Sequence, residues 1–297
     1  MPIQFGRNYK LDVTSNLSQK TISITDLKMD FKLSRNTDSM SGKGTVSIYN
    51  LNKETREALT VISNKDGTPN LFIDLQVGYG DELATVLRGK AVGYHTWKPP
   101  SAISTFEVLD GVFEQTTAKF SADYKKLDTV DNAINDLLNA VGLPRGQVDI
   151  IGERFPKKRA YNGNPKTILE QLASDHNFRY VVQNSEQNII KNSSSASVLS
   201  TYLLSASSGL IGIPYQKGTY LCVEALINPQ LRVNDWVSIR SERLDRSLNG
   251  TYRIIEMSMS GGTFSNNWTM KLTLAIEDVV TQYIGTYDYI DRGTYDG

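Results

Sequence analysis

The chain has one cysteine, two histidines and nine prolines among 297 residues, and its 32 basic residues are cancelled by 32 acidic ones. Each scarcity excludes something. Cys222 has no second cysteine with which to form an intrachain disulfide. It lies in an apolar run, where a small buried side chain is expected, and the chain suits a reducing compartment. There is no His-x-x-His, Cys-x-x-Cys or Glu-x-x-His spacing for a metal ion. A dedicated nucleic-acid binder carries a basic surplus to displace counterions from phosphates, and a neutral total argues against that role. No segment approaches the ~18 consecutive apolar residues of a membrane span. The opening residues, Met1 to Arg7, lack the charged-then-apolar pattern of a secretory signal. Neither a membrane anchor nor signal-dependent secretion is therefore expected. Few prolines and no long repeat exclude a fibrous or collagen-like architecture.

Reactive constellations are missing as well. No Gly-x-Ser-x-Gly elbow, phosphate-binding Gly-rich loop or dinucleotide fingerprint occurs. Gly78-Tyr79-Gly80 and Gly261-Gly262 read as turns at strand ends. His95 sits in a strand region, and His176 ends a helix, where it interacts favourably with the helix dipole. Lys157-Lys158-Arg159 reads as a solvated loop, and Asp288 and Asp291 as solvated tail residues. No catalytic residue, cofactor site or metal site is assigned. A long chain with good cores and no reactive site suggests a structural or interaction protein.

What is present is strand. Thr21 to Leu33 reads as one long alternating stretch with Leu27, Met29, Phe31 and Leu33 on one side, and Thr45 to Tyr49 as the next strand. Asn50 or Asn52 then caps a helix from Lys53 to Ile62, with Leu59 and Ile62 on one face. Strands follow at Leu71–Val77, at Val86–Tyr94 as a candidate strand pair, and at Ser104–Phe113. The middle of the chain changes period. Val130, Ile134, Leu137, Leu138 and Val141 have helical spacing, with Asp128, Thr129 or Asp131 as cap and Gly142 as stop. After a strand at Gln147–Ile151, Asn164-Pro165 opens a second helix carrying Ile168, Leu169, Leu172 and Ala173. Phe178–Val182 and Asn188–Ile190 form a hairpin. Ser-rich stretches at 192–197 and 205–209 have linker composition. Strands return at Tyr220–Ile227, Trp236–Arg240, Thr251–Met259 and Trp268–Ile276, with Asn249-Gly250 as a hairpin-turn dipeptide. The expected fold is mainly β: a first β-barrel-like unit over 1–121, a small α+β insertion over 122–197, a second β-barrel-like unit of similar fold over 198–282, and a tail over 283–297.

Several ordered motifs carry a resemblance. Tyr49-Asn50-Leu51 runs straight into a short helix containing Thr55-Arg56. Gly78-Tyr79 is followed by Arg88-Gly89, then by a strand from Phe106 to Asp110-Gly111. Val141-Gly142-Leu143 lies between the middle helices. Asn228-Pro229, Asn249-Gly250 and Trp268 complete the series. In this order they resemble phage tail baseplate hub proteins of the late control protein D family, which are similar to the N-terminal part of type VI secretion spike proteins. The likeness spans about 20–280. One departure is Val233-Asn234-Asp235, where hubs often have Pro-Gly before the strand; either makes a turn.

The resemblance implies a non-enzymatic component of a virion, assembled in the host cytoplasm. It implies a homotrimeric ring between the tail tube, or a tube-proximal ring, and the central spike, in contact with other baseplate proteins and with DNA only transiently through its lumen. Two similar units in three subunits would present a nearly sixfold surface to the tube and a threefold surface to the spike. Tyr283, Tyr287, Tyr289 and Tyr295 of the tail are expected to contact a neighbour. Two rivals stand beside this reading. One is another tail ring, either a distal tail or a spike-base protein. The other is a carbohydrate-binding β protein stacking sugars on Trp97 and Trp236, although a Trp flanked by strand residues is expected in the core.

Overall fold

The structure, a computed structural model, describes residues 6–15, 20–37, 42–59, 71–192, 201–241 and 248–276. The first half runs β1 (Arg7–Ser15), β2 (Lys20–Ile24), β3 (Met29–Asn36), β4 (Lys43–Tyr49), α1 (Lys53–Ala58), β5 (Leu71–Tyr79), β6 (Glu82–Lys98) and β7 (Ser101–Leu109). The middle holds α2 (Val112–Thr117), β8 (Phe120–Tyr124), α3 (Val130–Val141), β9 (Arg145–Val148), β10 (Arg159–Gly163), α4 (Pro165–Asp175), β11 (Phe178–Gln183) and β12 (Glu186–Lys191). The last part runs β13 (Tyr202–Leu204), a 3-10 turn (Ala206–Ser208), β14 (Leu210–Lys217), β15 (Tyr220–Leu226), β16 (Trp236–Ile239), β17 (Gly250–Gly262) and β18 (Trp268–Ala275).

The mainly β reading holds, with helices concentrated in the middle segment. The strands on either side of that segment share one 13-stranded sheet, in the order β14-β15-β18-β17-β3-β4-β7-β6-β5-β1-β2, with β16 on β17 and β13 on β16. The seam is β3 against β17, antiparallel from Asn36↔Glu256 to Asp30↔Gly262. At its edge a T-shaped contact joins Phe31 to Trp268, with ring centroids 5.6 Å apart. Alternate residues of these strands fill one continuous core, from Leu11 and Val13 through Met29 and Phe106 to Met270 and Leu274. The middle segment has a separate core, in which Ile134, Leu137 and Leu138 of α3 meet Leu169 and Leu172 of α4, with Phe155 and Tyr180.

Local chemistry explains most boundaries. Asn52 caps α1, its side chain accepting from Thr55 N at 2.7 Å, while Asn50 turns the chain at φ 59°. Thr129 caps α3 and Gly142 ends it in the left-handed region at φ 78°. Asn164 caps α4 ahead of Pro165. Asp128 and Asp131 serve elsewhere: Asp128 accepts from Lys125 N, and Asp131 from Ile151 N and Gly152 N.

Several expectations are corrected. The stretch from Thr21 breaks into β2 and β3 at a bend near Leu27, which is half-buried. The residues around Val86–Tyr94 belong to one 17-residue strand, not a pair. β7 stops at Leu109, because Gly111 turns at φ 71° into the unforeseen α2. The strand expected at Gln147–Ile151 starts earlier, pairing parallel to β12 through Arg145–Val148. Ser205–Gly209 is an ordered 3-10 turn closed by Ser205 and Ser208, and it leads into an additional strand, β14. Asn249-Gly250 is no two-residue hairpin. The Asn249 side chain instead clamps Ser241 across a longer connection, accepting from its N–H at 2.9 Å and donating to its carbonyl at 3.1 Å. Cys222 is half-buried. Trp236 is buried as expected, but Trp97 is 70% exposed, on the part of β6 past its described ladder with β5. Ile62 and residues 192–197, apart from Asn192, lie outside the described residues, as does the whole tail with Tyr283, Tyr287, Tyr289 and Tyr295.

Candidate assembly site

The sequence alternation of β3 places Arg35 on the same face as Met29, Phe31 and Leu33, so an arginine enters the core. Its partner is Asp110, the residue after β7, which is fully buried. Arg35 Nη2 lies 3.3 Å from the Asp110 carboxylate and donates to Asn184 Oδ1 at 2.6 Å. Asn184 and Ser185 form the two-residue turn of the β11–β12 hairpin, with φ values of 55° and 59°. Both turn amides donate to Asp110, at 2.7 and 2.6 Å. Asn184 Nδ2 and Ser185 Oγ then donate to the carbonyls of Thr85 and Arg88 on β6, at 3.0 and 3.1 Å. The sheet thus offers a buried carboxylate, and the α+β segment fills it with the tip of its hairpin. Burial raises the Asp110 carboxyl above its ordinary value against the pull of Arg35 and the two amides, and burial lowers Arg35. On the other flank Arg179 donates to Asn234 at 3.1 Å, and Arg232 lies 3.5 Å from Glu186, linking the hairpin to the chain before β16.

The motif residues are placed as follows. At the β4–α1 corner the Tyr49 hydroxyl donates to Asp30 at 2.8 Å, Leu51 enters the core, and Arg56 donates to the Leu51 carbonyl. His95 spans Ser104 Oγ at 2.8 Å and the Arg56 carbonyl at 3.2 Å. Gly78 has no room for a side chain, since a Cβ would come within 1.9 Å of the Glu82 carbonyl oxygen. Tyr79 is buried, which pushes its hydroxyl up to about 12. Arg88 lies over Phe72 and 3.6 Å from Asp74, while Gly89 crosses tight against Leu109 and Asp110. The Asn228 side chain accepts from Gln230 N at 3.1 Å, which turns the chain through Pro229. Two of these groups converge: Arg88-Gly89 at the Asp110 joint, and Tyr79 with Asn228-Pro229 around a neighbouring cavity of about 770 Å³. The Tyr49–Arg56 corner and Asn249-Gly250 stand apart, as corners of the fold. Sequence reasoning missed Arg35, Asn184 and Ser185 as a set. The one legible signal was an arginine in register with a run of core residues.

His176 caps the end of α4 and lies 2.5 Å from Glu153. Among the described residues no group of three or more His, Cys, Asp or Glu is placed to hold a metal ion. No helix among the described residues is long and apolar enough to cross a membrane.

A family model described as "Baseplate hub gp41" matches residues 10–260. The chain belongs to the baseplate hub gp41 family. This hub is therefore a structural component of a phage tail, located in the virion tail. Solved structures agree on the fold. The 43 kDa tail protein of prophage MuSo2 from Shewanella oneidensis superposes with a TM-score of 0.62 at 9% identity, covering 91% of this chain and 97% of that one. A tail protein from Neisseria meningitidis MC58 gives 0.62 at 8% identity, covering 93% and 98%. The E. coli c3393 protein, a component of the type VI secretion system with structural similarity to T4 tail proteins gp27 and gp5, gives 0.59 at 12% identity, covering 84% and 73%. Among curated proteins no sequence matches the hub.

Proposed function

We propose that this hub forms a homotrimeric ring that joins the tail tube to the central spike and lets DNA pass on ejection. The observation that carries this reading is the parity of its sheet. Eight consecutive strands, β14-β15-β18-β17-β3-β4-β7-β6, alternate in direction. Among the described residues β14 pairs only with β15, and β6 pairs with β5 only as far as Ala91, so the stretch from Val92 to His95, short of the hairpin tip, has no described strand on its outer side. Both edges carry exposed apolar side chains, Ile211, Ile213 and Tyr215 on one and Val92 and Tyr94 on the other. Unpaired apolar edges are a liability in a monomer. Because eight is even, β14 of one copy meets β6 of the next antiparallel, which makes a heterologous contact of the kind that closes rings.

The sheet face opposite the core is the one that this reading turns to the lumen. It is polar, carrying Thr45, Ser47, Thr105, Ser258, Ser260 and Thr269, and it mixes Lys32, Lys43, Arg88, Lys90, Lys98, Lys217 and Lys271 with Asp30, Glu107, Glu224 and Glu256. The β units over 1–121 and 198–282 form the ring wall in this reading, the segment over 122–197 hangs from it, and the tail tyrosines contact a neighbouring subunit. Native mass measurement and imaging test it. A mass of three chains and a threefold ring are expected, and Ile211→Lys with Ile213→Lys should reduce the assembly to single chains without lowering the Tm. A wild-type protein that stays a single chain at assembly concentrations would defeat the proposal.

A further inference from the structure

Two hairpin tips project from the same end of the sheet. β17 and β18 are joined through Thr263-Phe264-Ser265-Asn266-Asn267, and β6 and β7 through Pro99-Pro100. The register places both at one end: Gly262 lies beside Asp30 at the start of β3, and Lys98 opposite Ser101 at the start of β7. Between the hairpins lie β3 and β4, so β17 and β7 are three strand spacings apart, or about 14 Å. Each tip holds a large aromatic in solvent, Phe264 at 76% and Trp97 at 70% exposure. The opposite end of the same strands carries Asp110 and the docked α+β segment.

The Phe264 tip is held in place. Arg7 donates to the carbonyls of Ser265 and Asn266 at 2.8 and 3.4 Å, and Thr263 N donates to the Met29 carbonyl at 2.9 Å. The Trp97 tip is laddered to its last pair, Lys98↔Ser101. Braced aromatics lose little entropy when they enter a pocket, and they are the residue type that anchors interfaces. Each has a cation beside it, Arg7 or Lys98, and neither tip segment, 96–101 or 263–267, contains an acidic residue.

We infer that Trp97 and Phe264 form a two-point docking rim for a different protein ring of the tail, stacked on the side away from the α+β segments and offering apolar pockets edged with carboxylates. The inference rests on the ring reading, since only a ring repeats the aromatic pair around a circle. Purified tails are the probe. In cells assembling tails with the Trp97→Ser/Phe264→Ser variant, hub content per purified tail should fall about tenfold or more. The isolated variant should keep the oligomeric mass and melting temperature of the wild type. Lys98→Glu should weaken incorporation in the same direction. A photoreactive benzoyl-phenylalanine in place of Phe264 should cross-link to a different tail chain. Unchanged incorporation, or cross-links only between hub copies, would overturn the inference. So would wild-type binding to phosphatidylethanolamine–phosphatidylglycerol vesicles that the double variant loses, which would assign the rim to a lipid surface. A wild-type chain that never forms a ring defeats the ring reading instead, and the cross-link then decides the rim alone.

Discussion

Asp110 shows how a single side chain can organise a joint. A carboxylate without solvent must be satisfied by donors, and here two turn amides and a guanidinium supply them. Replacing Asp110 with Leu strands a buried Arg35 and should cost about 3–5 kcal/mol. Adding Arg35→Met in the same chain should recover a large part of that loss, read from urea midpoints as a non-additive double-mutant cycle. Full additivity would mean the two charges are independent. Asp235 makes a separate statement. Burial raises it from 3.8 to about 6, against the pull of the Arg232 amide at 2.7 Å. The folded chain then holds this proton more tightly than the unfolded chain, so its contribution is full below about pH 4 and is lost as pH rises through 6. Asp235→Asn should flatten the stability profile between those values, compared with wild type by thermal melts across pH. An unchanged slope would remove Asp235 as its source.

At the scale of elements, caps and edges set the shape. Asn164 does two jobs: it accepts from Lys166 N at 2.9 Å to start α4, and it donates to the Gln115 carbonyl at 2.8 Å to hold α2. The Thr129 side chain starts α3, accepting from Asn132 N at 3.3 Å. Thr129→Ala should cost about 1 kcal/mol, and Asn164→Ala more, with faster amide exchange in α2 as well as in α4. Equal losses with α2 exchange unchanged would mean the link to α2 has no energetic weight. The 17 residues of β6 do what separate strands could not. Their first half is laddered to β5, and their second half continues as a hairpin arm paired with β7, with no described strand on its other side. Alternation located this strand but not its length, because the pattern of Val86 to Tyr94 is the same whether or not a neighbour covers it.

At the scale of the whole molecule there are two cores with a polar joint between them. The sheet core runs without interruption across the β3–β17 seam, so the parts of the chain before and after the α+β segment stabilise each other. The α+β core closes on itself through α3, α4, β11 and Phe155. A fragment of residues 118–192 should therefore fold alone, with helical circular dichroism and a cooperative melt. The complementary chain, with that segment replaced by a short linker, should expose Asp110 and lose stability. A fragment that melts without cooperativity would show that the second core depends on the first.

The sequence by itself determined the element types, most caps and the order of hub-like corners. These follow from local rules: period-2 alternation, helical spacing, and the few residues that cap or turn a chain. Gly142, Asn164-Pro165 and the Phe178–Ile190 hairpin were legible for that reason, and the structure chose Thr129 over Asp128 and Asp131 as the cap of α3. Only the tertiary structure decided what pairs with what across distance. The partner of Arg35 is 75 residues away, β3 finds β17 more than 200 residues on, and Trp97, in a strand by its sequence, is 70% exposed on the hairpin arm. Such choices depend on which strand edges meet once the core has closed. A local pattern that is compatible with several neighbours cannot specify one of them.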